Sequence, residues 1–205
     1  MTLEDAFCAL KDDKYFTVRN DALENEEFEK GTVKIGDVYF DKVGDGFEYA
    51  DVKGQKKLVR ALQIAAAGGH NLLAVGAPGC GKTMTIQKFP VLLPLMTNDE
   101  AQSVTRIWSL AGLLPRSAAL VRKVPFRMPH CTSSLEGMCG GGMGCRPGEI
   151  SLAHNGVLFL DEAAEFRTSV LQMLRVPLET NSITFSSSAD TDVSSTETLV
   201  SAFCA

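Results

Sequence analysis

Eight consecutive residues, Gly76-Ala77-Pro78-Gly79-Cys80-Gly81-Lys82-Thr83, combine glycine, amine and hydroxyl in the order G-x-x-x-x-G-K-T. Glycines at such spacing let a backbone curl until successive N–H groups point inward at phosphate oxygens, and a helix opening at Lys82 adds its positive end. Lys82 would then reach the β- and γ-phosphates, and the Thr83 hydroxyl would ligate Mg²⁺. A glycine-rich turn kept for packing alone is the competing reading, and the complete pattern in its strand-to-helix setting argues against it.

Such a site needs a carboxylate at the end of a neighbouring apolar strand. Asp161 and Glu162 directly follow Val157-Leu-Phe-Leu160, 79 residues beyond Lys82. Asp161 suits the Mg²⁺ shell, and Glu162 suits orienting or deprotonating an attacking water. An acidic strand end is weak evidence alone; the phosphate loop makes it strong.

The other reactive residues say less. His130, Cys131, Cys139 and Cys145 are soft or borderline ligands lying close together, but the intervals between them match no common zinc pattern. Small residues in a glycine-rich loop are the favoured reading. His70 and His154 each precede a strand and read as packing or turn residues. Arg127 and Arg146 flank Gly140-Gly-Gly142 and could contact phosphates, a neighbouring subunit or nucleic acid, or simply form a solvated basic face. Trp108 reads as core.

The elements that must position these groups can be read from periodicity. Leu58, Ala61, Leu62 and Ala65 form one apolar stripe, so a helix is expected over 54–67, ended by Gly68-Gly69. Asn71-Leu-Leu-Ala-Val75 reads as a buried parallel strand, and the helix from Lys82 should run no further than about Phe89, since Pro90 lacks an N–H. Thr97-Asn-Asp-Glu100 has the form of a capping box opening a helix over about 98–111. Residues 112–150, rich in Gly and Pro, read as loops and short strands. A second buried strand covers 156–160, followed by a helix with Phe166, Val170, Leu171 and Leu174 on one face that stops near Pro177. Strand, helix, strand, helix predicts an α/β domain with a parallel sheet.

Towards the ends the signals weaken. Residues 1–30 read as an acidic arm, and short β-rich runs at 32–35, 38–40 and 47–49 predict a small hairpin turning at Asp45-Gly46. Residues 182–201 are dominated by Ser and Thr, and a hairpin pairing 183–185 with 198–200 is set against a disordered tail.

The whole chain has 205 residues, 45% of them apolar, and a net charge of −5, which excludes disordered and collagen-like classes and any global attraction to nucleic acid. Residues 61–150 alone are net positive. No run is long and apolar enough for a membrane helix, the first ten residues lack signal-peptide character, and six cysteines without CxxC fit a reducing compartment. A cytoplasmic location without membrane contact is expected.

Taken together, Asp51-Val-Lys-Gly-Gln55, Ala65 to Leu73, the phosphate loop, Pro125 to His130, Gly140 to Gly142, Arg146 to His154 and Asn155 to Glu162 resemble the magnesium-chelatase-like AAA+ ATPases, in particular the ComM-type branch. The resemblance covers about residues 48–205. It implies an α/β P-loop NTPase (AAA+) core, a parallel sheet with helices on both faces, incomplete at its C-terminus. The expected domains are an arm and hairpin over 1–47 and the nucleotide-binding core over 48–205. It further implies ATP and Mg²⁺ as cofactors, with Gly76, Ala77, Pro78, Gly79, Cys80, Gly81, Lys82, Thr83 and Met84 contacting nucleotide, Thr83 and Asp161 holding the metal, and Lys82 and Glu162 catalytic. Inserted hairpins, assembly into a ring or with a full-length relative, and DNA as a partner are implied too.

The departures bear on activity. Cys131 replaces a second His, Ala163-Ala164 replace Leu-Pro, Ser186 to Ser188 replace a tract containing Arg, and Cys204 would take the place of the sensor Asn if 199–204 is the fourth core strand. Neither lid nor arginine finger is expected within these 205 residues, which keeps a non-hydrolysing nucleotide-binding or interaction fragment open as the alternative.

Overall fold

The computed structural model describes residues 32–35, 38–41, 52–114, 120–141, 146–180 and 201–204. The chain divides into two compact units, Met1–Lys42 and Val43–Ala205. In the first, strands β1 (Thr32–Ile35) and β2 (Val38–Asp41) pair antiparallel. Ile35 faces Val38 across this pair, and the expected turn at Asp45-Gly46 with the run 47–49 lies outside the described residues.

The second unit carries a parallel sheet. Helix α1 (Lys56–Gly68) leads into β3 (Leu72–Ala74), then α2 (Lys82–Gln87), a 3-10 turn at Phe89–Leu92, and α3 (Asn98–Leu110). Next come β4 (Phe126–Arg127), α4 (Leu135–Cys139), the short antiparallel pair β5 (Gly140–Gly141) and β6 (Arg146–Pro147), and α5 (Glu149–Leu152). The described chain closes with β7 (Val157–Leu160), α6 (Thr168–Thr180) and β8 (Ser201–Cys204). The sheet order is β3-β8-β7-β4, and its strands run parallel.

Strand periodicity sorts the core. All four residues of β7 are buried, as a strand covered on both sides requires. Val157 and Phe159 join Ala74 against Leu62 and Ala65 of α1 and Ile86 of α2. The alternate residues, Leu158 and Leu160, pack with Met138, Ile150, Phe166, Val170 and Leu174 from α4, α5, the turn after β7, and α6. Helices therefore cover both faces at β7. The edge strand β3 differs from the expectation of full burial: Ala74 is enclosed, but Leu73 is 62% exposed. Its side chain points to the opposite face from Ala74, and the covering helices there lie over β7.

The capping box forms as expected: Thr97 N–H donates to Glu100 Oε2 at 2.8 Å, and Glu100 N–H returns to Thr97 Oγ1 at 3.4 Å. Left-handed Gly69 ends α1 by donating its N–H to the Ala65 carbonyl. Helix α6 runs past Pro177 to Thr180 rather than stopping before it. A proline near a helix end forfeits one backbone hydrogen bond without breaking the long preceding segment, and Pro177 is buried. The region 112–150 holds short helices as well as strands. The proposed pairing of 183–185 with 198–200 lies outside the described residues.

Candidate functional site

Strand β3 delivers the chain to the candidate phosphate loop at the C-terminal edge of the sheet, the edge where open α/β sheets bind ligands. Gly79 and Gly81 take left-handed conformations, with φ of 73° and 86°. A Cβ at either would meet nothing within 4 Å, so glycine is required there by backbone angle and not by crowding. Gly76 differs: its Cβ would lie 3.4 Å from Cys80 Sγ and 3.6 Å from Lys82 Cδ, inside the curl of the loop.

Helix α2 begins at Lys82, whose Nζ donates to the Gly76 and Ala77 carbonyls. The ammonium thus lies within the ring of loop residues. Thr85, fully buried, donates its hydroxyl to the Gly81 carbonyl at 2.8 Å and ties the first helical turn to the loop. Met84 points outward, 54% exposed.

Strand β7 brings the acids. Thr83 Oγ1 donates to Asp161 Oδ1 at 3.2 Å, joining two segments 78 residues apart in sequence. The same carboxylate oxygen accepts the Glu162 N–H at 3.1 Å. Glu162 is exposed and left-handed, at φ 52° and ψ 51°. That conformation costs a non-glycine residue roughly 1–3 kcal/mol, and it turns the chain sharply so that adjacent carboxylates need not follow strand alternation.

A hydroxyl and a carboxylate oxygen at 3.2 Å are hard donors. They fit Mg²⁺, which takes one or two protein oxygens and completes its shell with water and phosphate.

Other expected groups do not converge. Among the described residues no three His, Cys, Asp or Glu side chains gather as a metal site. Cys139 packs against Met173 of α6, and burial pushes its thiol pKa up. His130 Nδ1 meets Thr132 Oγ1 at 2.9 Å and Cys131 Sγ at 3.8 Å, with no third ligand beside them among the described residues. Arg127 forms a two-pronged ion pair with Glu149, at 2.7 and 2.8 Å, and the hydrogen bond to this partner pushes the guanidinium pKa up. Its occupation by Glu149 removes Arg127 from the basic surface offered to phosphate or DNA, and nothing in the described geometry supports a DNA partner. His154 is buried, and His70 packs over Gly68, consistent with packing or turn roles. Trp108 is half-buried, its N–H donating to the Leu152 carbonyl at 3.1 Å.

Two participants were not apparent from sequence. Thr85 reads as one more helix residue, and Gln55 as a helix-start residue, yet Gln55 Nε2 donates to the Cys80 carbonyl at 2.5 Å.

The profile of magnesium chelatase subunit ChlI matches residues 48–204, a span that contains the loop, both acids and β8. The chain belongs to this family. Among relatives of this magnesium chelatase family member, the uncharacterized protein YifB of Escherichia coli K12 is 49% identical over 136 residues, 66% of this chain and 27% of YifB. The competence protein ComM of Haemophilus influenzae is 48% identical over 139 residues, 68% of this chain and 27% of ComM. The chain thus spans about a quarter of the length of these curated relatives. A structure of the complex between subunits BchI and BchD of magnesium chelatase superposes with a TM-score of 0.54 at 19% identity, over 75% of this chain and 53% of that one. The fold is the α/β AAA+ P-loop fold. Among the described residues, no helix is long and apolar enough to cross a membrane.

Proposed function

We propose that this chain is the nucleotide-binding part of a Mg²⁺-dependent ATPase of the magnesium chelatase family. The observation that carries the reading is the meeting of Thr83, from the phosphate loop helix, with Asp161, from the far strand. Loop amides of residues 76–81 bind the phosphates, Lys82 leaves its loop carbonyls to pair with the β- and γ-phosphate oxygens, and Met84 flanks the nucleotide. Thr83 and Asp161 would hold Mg²⁺, which would neutralise charge on the phosphate oxygens. Glu162, exposed and free of the strand's alternation, orients the attacking water and accepts its proton.

The test is ATP affinity of the wild type and Lys82→Ala, followed by turnover in wild type and Glu162→Gln. The reading expects the lysine variant to bind at least tenfold more weakly, by the strength of a charged phosphate contact. Equal affinities would defeat it. Turnover abolished in Glu162→Gln would assign the hydrolytic role.

A second reading, binding without turnover, is favoured by residue 204. Parallel pairing puts residue 204 beside Ala74 at the sheet edge that carries the site, and this residue is Cys where the family resemblance expects Asn. Absence of ATP turnover in a chain that binds ATP would select it. Similarity to the BchI–BchD complex also supports assembly with further copies or with a longer relative, checked by sedimentation with and without ATP. A cytoplasmic setting belongs to the same reading and suits the free thiols of Cys80, Cys131 and Cys139.

A further inference from the structure

Gln55 occupies the N-cap position of α1, a 13-residue helix, yet its side chain makes no capping bond. Asn, Asp or Ser there would accept a helix N–H and contribute about 1 kcal/mol. The Gln55 backbone stays in place through its carbonyl, which accepts the Val59 N–H at 3.0 Å. Its amide instead crosses 25 residues of sequence to the Cys80 carbonyl. The preceding residue, Gly54, sits at φ 86°, a sharp turn into the helix that a residue with a Cβ rarely takes.

The peptide joining Cys80 to Gly81 is planar and trans, so its C=O and N–H point in opposite directions. Fixing the carbonyl on Gln55 therefore fixes the Gly81 N–H on the other side. This peptide needs such a constraint. Left-handed glycines lie at 79 and 81, Thr85 holds the Gly81 carbonyl but not its N–H, and the Cys80 N–H is held only by a long 3.4 Å bond to the Ala77 carbonyl. Rotation of the peptide would replace an inward N–H by a carbonyl oxygen, exchanging attraction for repulsion of a phosphate.

We infer that Gln55 is a positioning residue that holds the Gly81 N–H towards the bound phosphate. The inference rests on the phosphate-binding reading of the loop. Two variants of the full chain separate this role from a structural one. Gln55→Met keeps the length and removes the donor; Gln55→Ser removes the reach and restores a capping hydroxyl.

The measurements are ADP affinity by calorimetry in Mg²⁺, the melting temperature without nucleotide, and the Gly81 amide signal in ¹⁵N-labelled protein. Both variants are expected to bind ADP about tenfold to a hundredfold more weakly, the range for a hydrogen bond to a charged group. Gln55→Ser should melt no lower than wild type, and the Gly81 amide should shift or broaden in both. A purely structural Gln55 would lose affinity only together with melting temperature. ADP affinities within about twofold of wild type in both variants overturn the inference while leaving the loop's role intact. Failure of the wild type to bind ADP, with Lys82→Ala indistinguishable from it, overturns both.

Discussion

Replacing Asp161 by Asn should have opposite effects with and without Mg²⁺. The substitution keeps an acceptor for the Thr83 hydroxyl, now 3.2 Å away, and removes one negative charge. A phosphate oxygen held beside that hydroxyl lies roughly 5 Å from the carboxylate, where two unit charges interact by about 0.8 kcal/mol at full water screening and about 3 kcal/mol at an effective dielectric of about 20. Asp161 is half-buried, which places the interaction between these limits. Without metal the charge repels the triphosphate, so Asp161→Asn should bind ATP more tightly in EDTA, by about fourfold to two-hundredfold. On the proposed reading the carboxylate would be a ligand of the shared cation in Mg²⁺, so the variant should then bind Mg·ATP more weakly. Calorimetric titration of both proteins in EDTA and in excess Mg²⁺ gives the four affinities. An equal loss in both conditions would refute the reasoning, because it would mean that Asp161 supports the loop structurally and does not face the phosphates.

Gly156→Ala tests the seam between β4 and β7: the added Cβ would lie 2.3 Å from the Pro125 carbonyl oxygen, a backbone atom that cannot turn aside. A destabilisation of about 1–3 kcal/mol is expected, read as a lower melting temperature, and an unchanged melt would contradict the packing. Arg127→Ala strips a largely enclosed carboxylate of its two-pronged partner, the side chains being 29% and 24% exposed. It should cost about 2 kcal/mol in denaturant unfolding, whereas the same substitution at Arg175, whose ion pair is mostly exposed, should cost far less. Burial raises the Cys139 thiol pKa, so less of the reactive thiolate is present at a given pH. In peptide mapping after alkylation near pH 8, Cys139 should label more slowly than Cys131, and its rate should continue to climb at higher pH; equal rates would dismiss the burial argument.

The curled glycine loop of residues 76–83 was legible because its requirements are local. Each glycine, the lysine and the threonine act within one turn of chain, so their order alone carries the geometry. The capping box at Thr97 and Glu100 is local for the same reason. Asp161 needed one further step, the recognition of an apolar strand ending in acids.

Features that depend on contacts made elsewhere were harder to read. Ser201–Cys204 lies at the end of a Ser/Thr-rich stretch with no clear pattern of its own; the family resemblance offered it as a fourth core strand, and it becomes one because β3 and β7 offer backbone partners on both sides. Leu73 is as apolar as a core residue, and its exposure reflects where the covering helices stop. Nothing near Gln55 in sequence points to Cys80. Their contact joins the start of α1 to the loop across 25 residues; the sequence offered only a resemblance over Asp51 to Gln55 and the absence of a normal capping residue.

The late strand β8 also explains how the site acquires its width. Neighbouring strands lie about 4.8 Å apart, so if β3 and β7 paired directly, their loops would emerge too close to admit a phosphate group and a hydrated ion. Inserting β8 between them doubles that separation to roughly 10 Å, while Leu73 and Leu160 both remain in register with Phe203. The loop and α2 then reach back across the end of β8 to bring Thr83 to Asp161. The two halves of the proposed site are thus joined by a side-chain contact across an intervening strand, and the separation that would make room for a triphosphate is set by the strand order rather than by either motif.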